Sequence, residues 1–269
     1  YRRAVELEPE WADLQRNYGM ALLVEGNIEA AEAACRNAVS LVPEDADNQV
    51  ALARALVAAG DNRGALAVCD AYLASHSFHV AVAACRALVL NETGSRDATA
   101  RLLGLESFVQ LESIAPPVAF GSLSDFNEAL SRETTAHFTP EYDPALRVVE
   151  GGRQSGERFV NPGAAVALLM ERIDEAVREF ASGFDTSDSN PFLARKPRKW
   201  RLKGYSAELS PNGHILANIR PEAWVSGLYF ATSEGAPEVT LGAPPASWNF
   251  ATDPVSRTLY PQAGEMLLY

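Results

Sequence analysis

Along the first 110 residues, apolar and small positions follow an Ala-rich helical pattern that repeats. Gly26, Gly60 and Gly94 stand 34 positions apart, as do Leu22, Leu56 and Leu90; Ala21 pairs with Ala55, Ala33 with Ala67, Pro9 with Pro43 and Cys35 with Cys69. Each period predicts a helix, a turn at Gly-Asn or Gly-Asp, and a second helix, with alanines where the two helices approach and a proline closing the unit. The first unit has its helices near residues 11–25 and 28–41, and residues 1–7 read as the last helix of a preceding unit. The third unit, after Ser77, keeps Gly94 and Ala98 and then drifts; Pro116-Pro117 ends the array.

Beyond Gln110 the pattern changes. Residues 114–120 read as a linker or a first strand, and Ser124 as the N-cap of a helix running to about Ala136, with His137 at its C-terminal end. Val166, Leu169, Met170, Ile173, Val177 and Phe180 fall at helical spacing, so residues 162–181 predict an amphipathic helix covering one side of a sheet. Then the period becomes that of strands. Pro211-Asn212-Gly213 suits a tight turn and separates the apolar runs 201–209 and 214–219, which predicts an antiparallel hairpin. Residues 224–230, rich in aromatic and branched side chains, predict a third strand, and 237–241, 248–250 and 264–269 three more. Alternation along 214–220 places His214, Leu216, Asn218 and Arg220 on one face, with Ile215, Ala217 and Ile219 on the other.

The 34-residue period, with Tyr18-Gly19-x-Ala21-Leu22 in place, resembles the tetratricopeptide repeat. That resemblance implies a groove for a protein or peptide partner, for which Arg16, Asn17, Arg54 and Arg86 are the candidate clamp; the alternative is an array that only packs on the domain behind it. The later run Gly213-His214, Asn218-Ile219-Arg220-Pro221 and Trp224-Val225-Ser226-Gly227-Leu228-Tyr229-Phe230 resembles the 2-oxoglutarate/Fe(II) oxygenase family often attached to such repeats. Gly151, Gly152 and Gln154, the turn Asn190-Pro191-Phe192, and Trp200 add to the likeness. It implies a double-stranded β-helix, or jelly roll, with Fe(II) and 2-oxoglutarate as cofactors. Where that family has His-x-His this chain has Asn218 and Arg220, and no histidine follows His214. Guanidinium offers a metal no lone pair and an amide is a poor replacement for imidazole, so His214 alone could bind iron conventionally. Arg220 and Tyr229 are the positions for the co-substrate; Ser226 and Tyr229 face opposite ways on their strand.

The expected fold class is α+β: a helical repeat domain over residues 1–112 and a jelly-roll domain over 113–269, with both chain ends read as cut and the distal histidine either beyond Tyr269 or lost. The expected function is an oxygenase fused to peptide-binding repeats, or, from a different class, a non-catalytic binding protein with a degenerate roll. With 35 acidic against 23 basic residues the formal charge is −12, which argues against nucleic acid and anionic membranes as partners. No apolar run approaches the roughly 20 residues of a membrane span. Cys35, Cys69 and Cys85 lack CxxC spacing and read as buried free thiols in a reducing, cytoplasmic setting. His76 and His79 read as polar residues near a helix start rather than a metal pair, Gly151-Gly152-Arg153-Gln154 as a turn rather than a phosphate loop, and residues 195–199 as a solvated basic approach to the first strand.

Overall fold

The structure, a computed structural model, describes residues 1–76, 78–135, 148–184, 190–232, 235, 237–245, 248 and 250–269. The expected helix cap at His137 lies outside the described residues. By its contacts the chain divides into two units. The first is Tyr1–Gly104 with Ile219–Pro221 and Gly242–Ser256; the second is Leu105–Asn218, Glu222–Leu241 and Arg257–Tyr269. The expected boundary after residue 112 thus compares with a division after Gly104, and the repeat unit takes in two later stretches.

The first unit is helical: α1 (Arg2–Leu7), α2 (Ala12–Val24), α3 (Ile28–Leu41), α4 (Ala46–Ala58), α5 (Asn62–Ser75), α6 (Val80–Glu92) and α7 (Arg96–Leu103). The 34-residue period has a local cause. Gly26, Gly60 and Gly94 take φ of 78°, 81° and 76°, a left-handed geometry that glycine adopts without Cβ strain. The next amide then bonds back to the helix, Asn27 to the Leu22 carbonyl at 2.9 Å, Asp61 to Leu56 at 2.8 Å and Ser95 to Leu90 at 3.1 Å. This is the Schellman closure of α2, α4 and α6, and it explains why the leucine and glycine periods run together. Asn27 and Asp61 cap the helices that follow, accepting from the Ala30 and Gly64 amides at 3.4 and 2.8 Å. Gln15 and Gln49, also one period apart, donate to the Pro9 and Pro43 carbonyls at 2.8 and 2.7 Å and fasten each entry turn. The core joins Cys35, Leu52, Leu56, Cys69, Val82, Cys85 and Val89.

The second unit places α8 (Leu123–Thr135) and α9 (Ala164–Ser182) beside a three-stranded antiparallel sheet ordered β1 (Gln110–Ser113), β7 (Glu265–Leu268), β4 (Gly227–Tyr229). The Glu133 carboxylate accepts from the Ala165 amide at 2.9 Å and the Val166 amide at 3.4 Å, placing negative charge on the positive end of α9. Val177 and Phe180 of α9 close on Met266 and Leu268 of β7, so this helix covers the sheet as its pattern predicts.

The expected hairpin is corrected. Residues 207–215 form one strand, β3 (Ala207–Ile215), and both its ends pair with β2 (Val149–Gln154): Ile215 faces Val149, His214 faces Glu150, and Leu209 faces Gly152. Ser210 to Gly213 therefore oppose Gly151 alone, and Pro211-Asn212-Gly213 bulges from a continuous strand instead of turning it back. Glycines permit this. A Cβ on Gly151 would lie 2.9 Å from the Gly213 Cα, so the two backbones could not meet with side chains there. The strand at 224–230 shortens to β4 and pairs with β7, not with 214–219. Residues 237–241 supply β5 (Val239–Leu241), which pairs with β6 (Arg257–Leu259), and no strand includes Trp248 or Phe250. The described strands make separate sheets of three, two and two strands. They do not trace a two-sheet roll.

Candidate peptide-binding site

In the first unit the leading helices of successive hairpins pack side by side, α2 on α4 and α4 on α6. Their common face is set by position within the period: Met20 in α2 corresponds to Arg54 in α4, and Val24 and Ala58 correspond to Glu92 in α6. This face holds a stretch of the same unit, Gly242–Ser256. The Arg54 guanidinium stands 4.4 Å from the centre of the Trp248 ring, which also packs on the core around Cys35 and Leu52. Such a cation–π contact contributes about 0.5–2 kcal/mol as desolvation increases. Three residues on, the contacts turn to the backbone. The Glu92 carboxylate accepts from the Ala251 amide at 3.1 Å, the Thr252 amide at 2.8 Å and the Thr252 hydroxyl at 2.5 Å. Asn91 Nδ2 donates to the Thr252 hydroxyl and to the Asp253 carbonyl, both at 2.8 Å, and Arg96 reaches the same carbonyl at 3.1 Å. The loop is thereby held through one ring, one hydroxyl, two amides and one carbonyl.

A tetratricopeptide repeat family model matches residues 22–89. No curated protein and no solved structure matches the chain. The match runs from the end of α2 into α6, so Arg54 lies within it while Asn91, Glu92 and Arg96 lie just beyond its last residue.

Electrostatics follow the docking. Burial pushes the Glu92 carboxyl upward, but the hydrogen bonds from the Thr252 hydroxyl and from the Thr252 and Ala251 amides outweigh it and hold the group below the ordinary glutamate range. Burial lowers the pKa of Arg54, opposed by Cys85 and Cys35. Beneath it all three cysteines are free and buried, as expected from their Ala-rich setting. Burial pushes Cys35 up to about 11, and a hydrogen bond between Cys69 and Cys85 lowers the first thiol and raises the second.

Of the four candidate clamp residues the structure brings one, Arg54, onto the bound stretch. Arg16 is tied to Asp13 at 2.8 Å and to the Asn48 side chain at 3.2 Å, and Arg86 pairs with Asp70 of α5 at 2.5 Å. Asn17 is exposed on α2. Sequence reasoning missed Asn91 and Glu92, although the period carried a signal: they stand where the earlier units have Leu23-Val24 and Val57-Ala58. Trp248 and Thr252 carried none, because nothing local says which helix a distant loop will meet. His76 stacks on Tyr72 with ring centres 4.3 Å apart, and His79 meets the same ring edge-on at 6.3 Å, so these histidines pack.

The residues expected to form an iron pocket have other partners. His214 and Glu150 face each other across β2 and β3 at 3.5 Å, both largely exposed. The strand ends at Ile215, so alternation does not reach Asn218, whose amide donates to its own Leu216 carbonyl at 2.7 Å. Arg220 falls in a stretch assigned to the repeat unit, whereas His214 and Asn218 fall in the second unit. Tyr229 donates to the Asn127 side chain, and burial pushes its phenol up to about 12 against that hydrogen bond. Among the described residues no group of three or more His, Cys, Asp or Glu could hold a metal ion. These residues do not fit the ferrous centre that the resemblance implies. The other motif residues are explained by packing: Trp224 stacks on Phe192 at 4.9 Å and donates to its carbonyl at 3.0 Å, and Trp200 donates to Asp174 at 2.8 Å. Gln154 accepts from the Val148 amide at 3.1 Å, and Asn190 caps the turn α10 (Pro191–Ala194) through the Phe192 amide at 2.9 Å. In the basic cluster Lys196 donates to the Ala181 carbonyl at the C-terminal end of α9. Among the described residues no helix is long and apolar enough to cross a membrane.

Proposed function

We propose that the chain is a protein-binding scaffold whose tetratricopeptide face, built from α2, α4 and α6, takes a segment of a partner protein. The observation that carries this reading is the grip on Trp248 and on Ala251 to Asp253, in which Glu92 and Asn91 bond backbone groups that any polypeptide presents. The α2 part of the face adds an apolar residue, Val24, that is 83% exposed. A photo-crosslinking amino acid placed at Val24 tests it, with Arg36 on α3 as the control position. Expected are discrete protein adducts from position 24 and none of the same mass from position 36; equal labelling from both positions rules the face out. The finer alternative, a 2-oxoglutarate/Fe(II) oxygenase on a jelly roll, draws support from the resemblance over residues 151–154, 190–192, 200 and 213–230, of which Trp224 and Tyr229 are taken up by packing.

A further inference from the structure

The stretch that fills the face is a loop. Leu241 and Arg257 face each other across β5 and β6, which closes residues 242–256 between the two strands. Among its described residues it contains no helix longer than a single turn and no strand. Loops of more than about 12–15 residues without secondary structure are uncommon in compact domains unless they have work to do. Its hold on the repeats is also of a reversible kind. Trp248 is only partly buried, the hydrogen bonds to Ala251 and Thr252 are exposed, and Glu92, Asn91 and Arg96 would all be solvated if the loop left.

We propose that Trp248 and residues 251–253 act as a built-in pseudo-ligand, keeping in cis the place on α4 and α6 that a partner peptide takes. The peptide carries an aromatic residue four positions ahead of a serine or threonine. The ring is specified by Arg54, which offers a cation to a π face, and the hydroxyl by two groups of opposite character. Glu92 accepts the hydroxyl proton and Asn91 donates to the same oxygen, so a residue that is donor and acceptor at once is required. Asp253 contributes its carbonyl alone, which leaves that side chain unspecified. Phosphorylated threonine is excluded, because its charge would face the Glu92 carboxylate. The loop competes at the high effective concentration of a tethered segment, so the free peptide meets a face available for only part of the time.

This inference rests on the scaffold reading. Its test uses the full chain and a labelled synthetic peptide with the sequence of residues 244–255, followed by fluorescence anisotropy. A loop that holds its place nine-tenths of the time weakens a competitor about tenfold. The doubly substituted chain Trp248→Ala, Thr252→Ala, whose repeat residues are untouched, is therefore expected to bind the peptide about tenfold more tightly than the unsubstituted chain. Adding Arg54→Ala, or phosphorylating the peptide threonine, is expected to abolish that gain. On the unsubstituted chain, saturating peptide is expected to speed hydrogen exchange at the Ala251 and Thr252 amides, a readout that does not depend on any variant folding. Equal affinity for the substituted and unsubstituted chains overturns the proposal, as does exchange at those amides that saturating peptide leaves unchanged. Absence of binding by a substituted chain with native helical circular dichroism overturns it too. Partner adducts from Val24 that persist in any of those cases leave the scaffold reading standing and remove only the pseudo-ligand.

Discussion

Glu92 receives three hydrogen bonds from a segment about 160 residues further along the chain. Its carboxyl is held below the ordinary glutamate value, so the stabilisation is present above that value and is lost as pH falls through the lowered one. Protection of the Ala251 and Thr252 amides, expressed as protection factors, is expected to be level at neutral pH and to fall below the usual glutamate pKa of about 4.3. Glu92→Gln is expected to flatten that acid limb, which hydrogen exchange across a pH series checks. Tyr229 works in the opposite sense. Its phenol is raised to about 12, so its contribution is whole below the ordinary tyrosine value and lost as pH rises toward the raised one. Tyr229→Phe leaves the buried Asn127 side chain without its donor and is expected to lower stability by about 1–3 kcal/mol in urea denaturation. Neither role could be read from residue type. Glu92 announces itself only as a charge where the preceding units have valine and alanine, and Tyr229 sits in a motif whose resemblance suggests chemistry while its surroundings supply packing.

Helices and their ends were legible because what decides them lies within a few residues. Gly26, Gly60 and Gly94 terminate the leading helices by letting the next amide bond back to Leu22, Leu56 and Leu90, all within a few residues, so the period in the sequence is the period in space. Close packing within a hairpin is equally local in consequence. A Cβ on Gly19 would lie 2.6 Å from the Cys35 Sγ and 3.1 Å from the Ala31 carbonyl, so Gly19→Ala must push α2 from α3. Such overpacking is expected to cost about 1–3 kcal/mol, seen as a lower Tm with helical circular dichroism retained at low temperature. Strands were less legible. The Asn-Gly pair at 212–213 has the propensity of a hairpin turn, yet the residues on both sides of it found one partner, β2, some sixty positions earlier. In the bulge the left-handed residue is Gly151 of β2, with φ of 64°, and not Asn212 or Gly213, so the partner strand and not the Asn-Gly pair supplies the turn geometry.

For the molecule as a whole, the resemblance that runs from Gly213 to Phe230 led to an iron pocket, and the backbone course undoes the face on which that pocket depended. With the strand ending at Ile215 and Asn218 bonded to its own backbone, His214 has a single carboxylate neighbour among the described residues. Calorimetric titration with Mn(II), an air-stable stand-in for Fe(II), with 2-oxoglutarate present, is expected to give no stoichiometric uptake and no change on His214→Ala. By itself the sequence determined the repeat hairpins, the amphipathic helix α9 and the burial of the three thiols, because periodicity and helix closure are properties of neighbouring residues. Only the tertiary structure decided that residues 207–215 run straight, that β4 lies beside β7, and that Trp248 and Thr252 meet Arg54 and Glu92. Those outcomes depend on long-range loop closure, where many pairings satisfy the same local preferences and the winner is set by the packing of the whole chain.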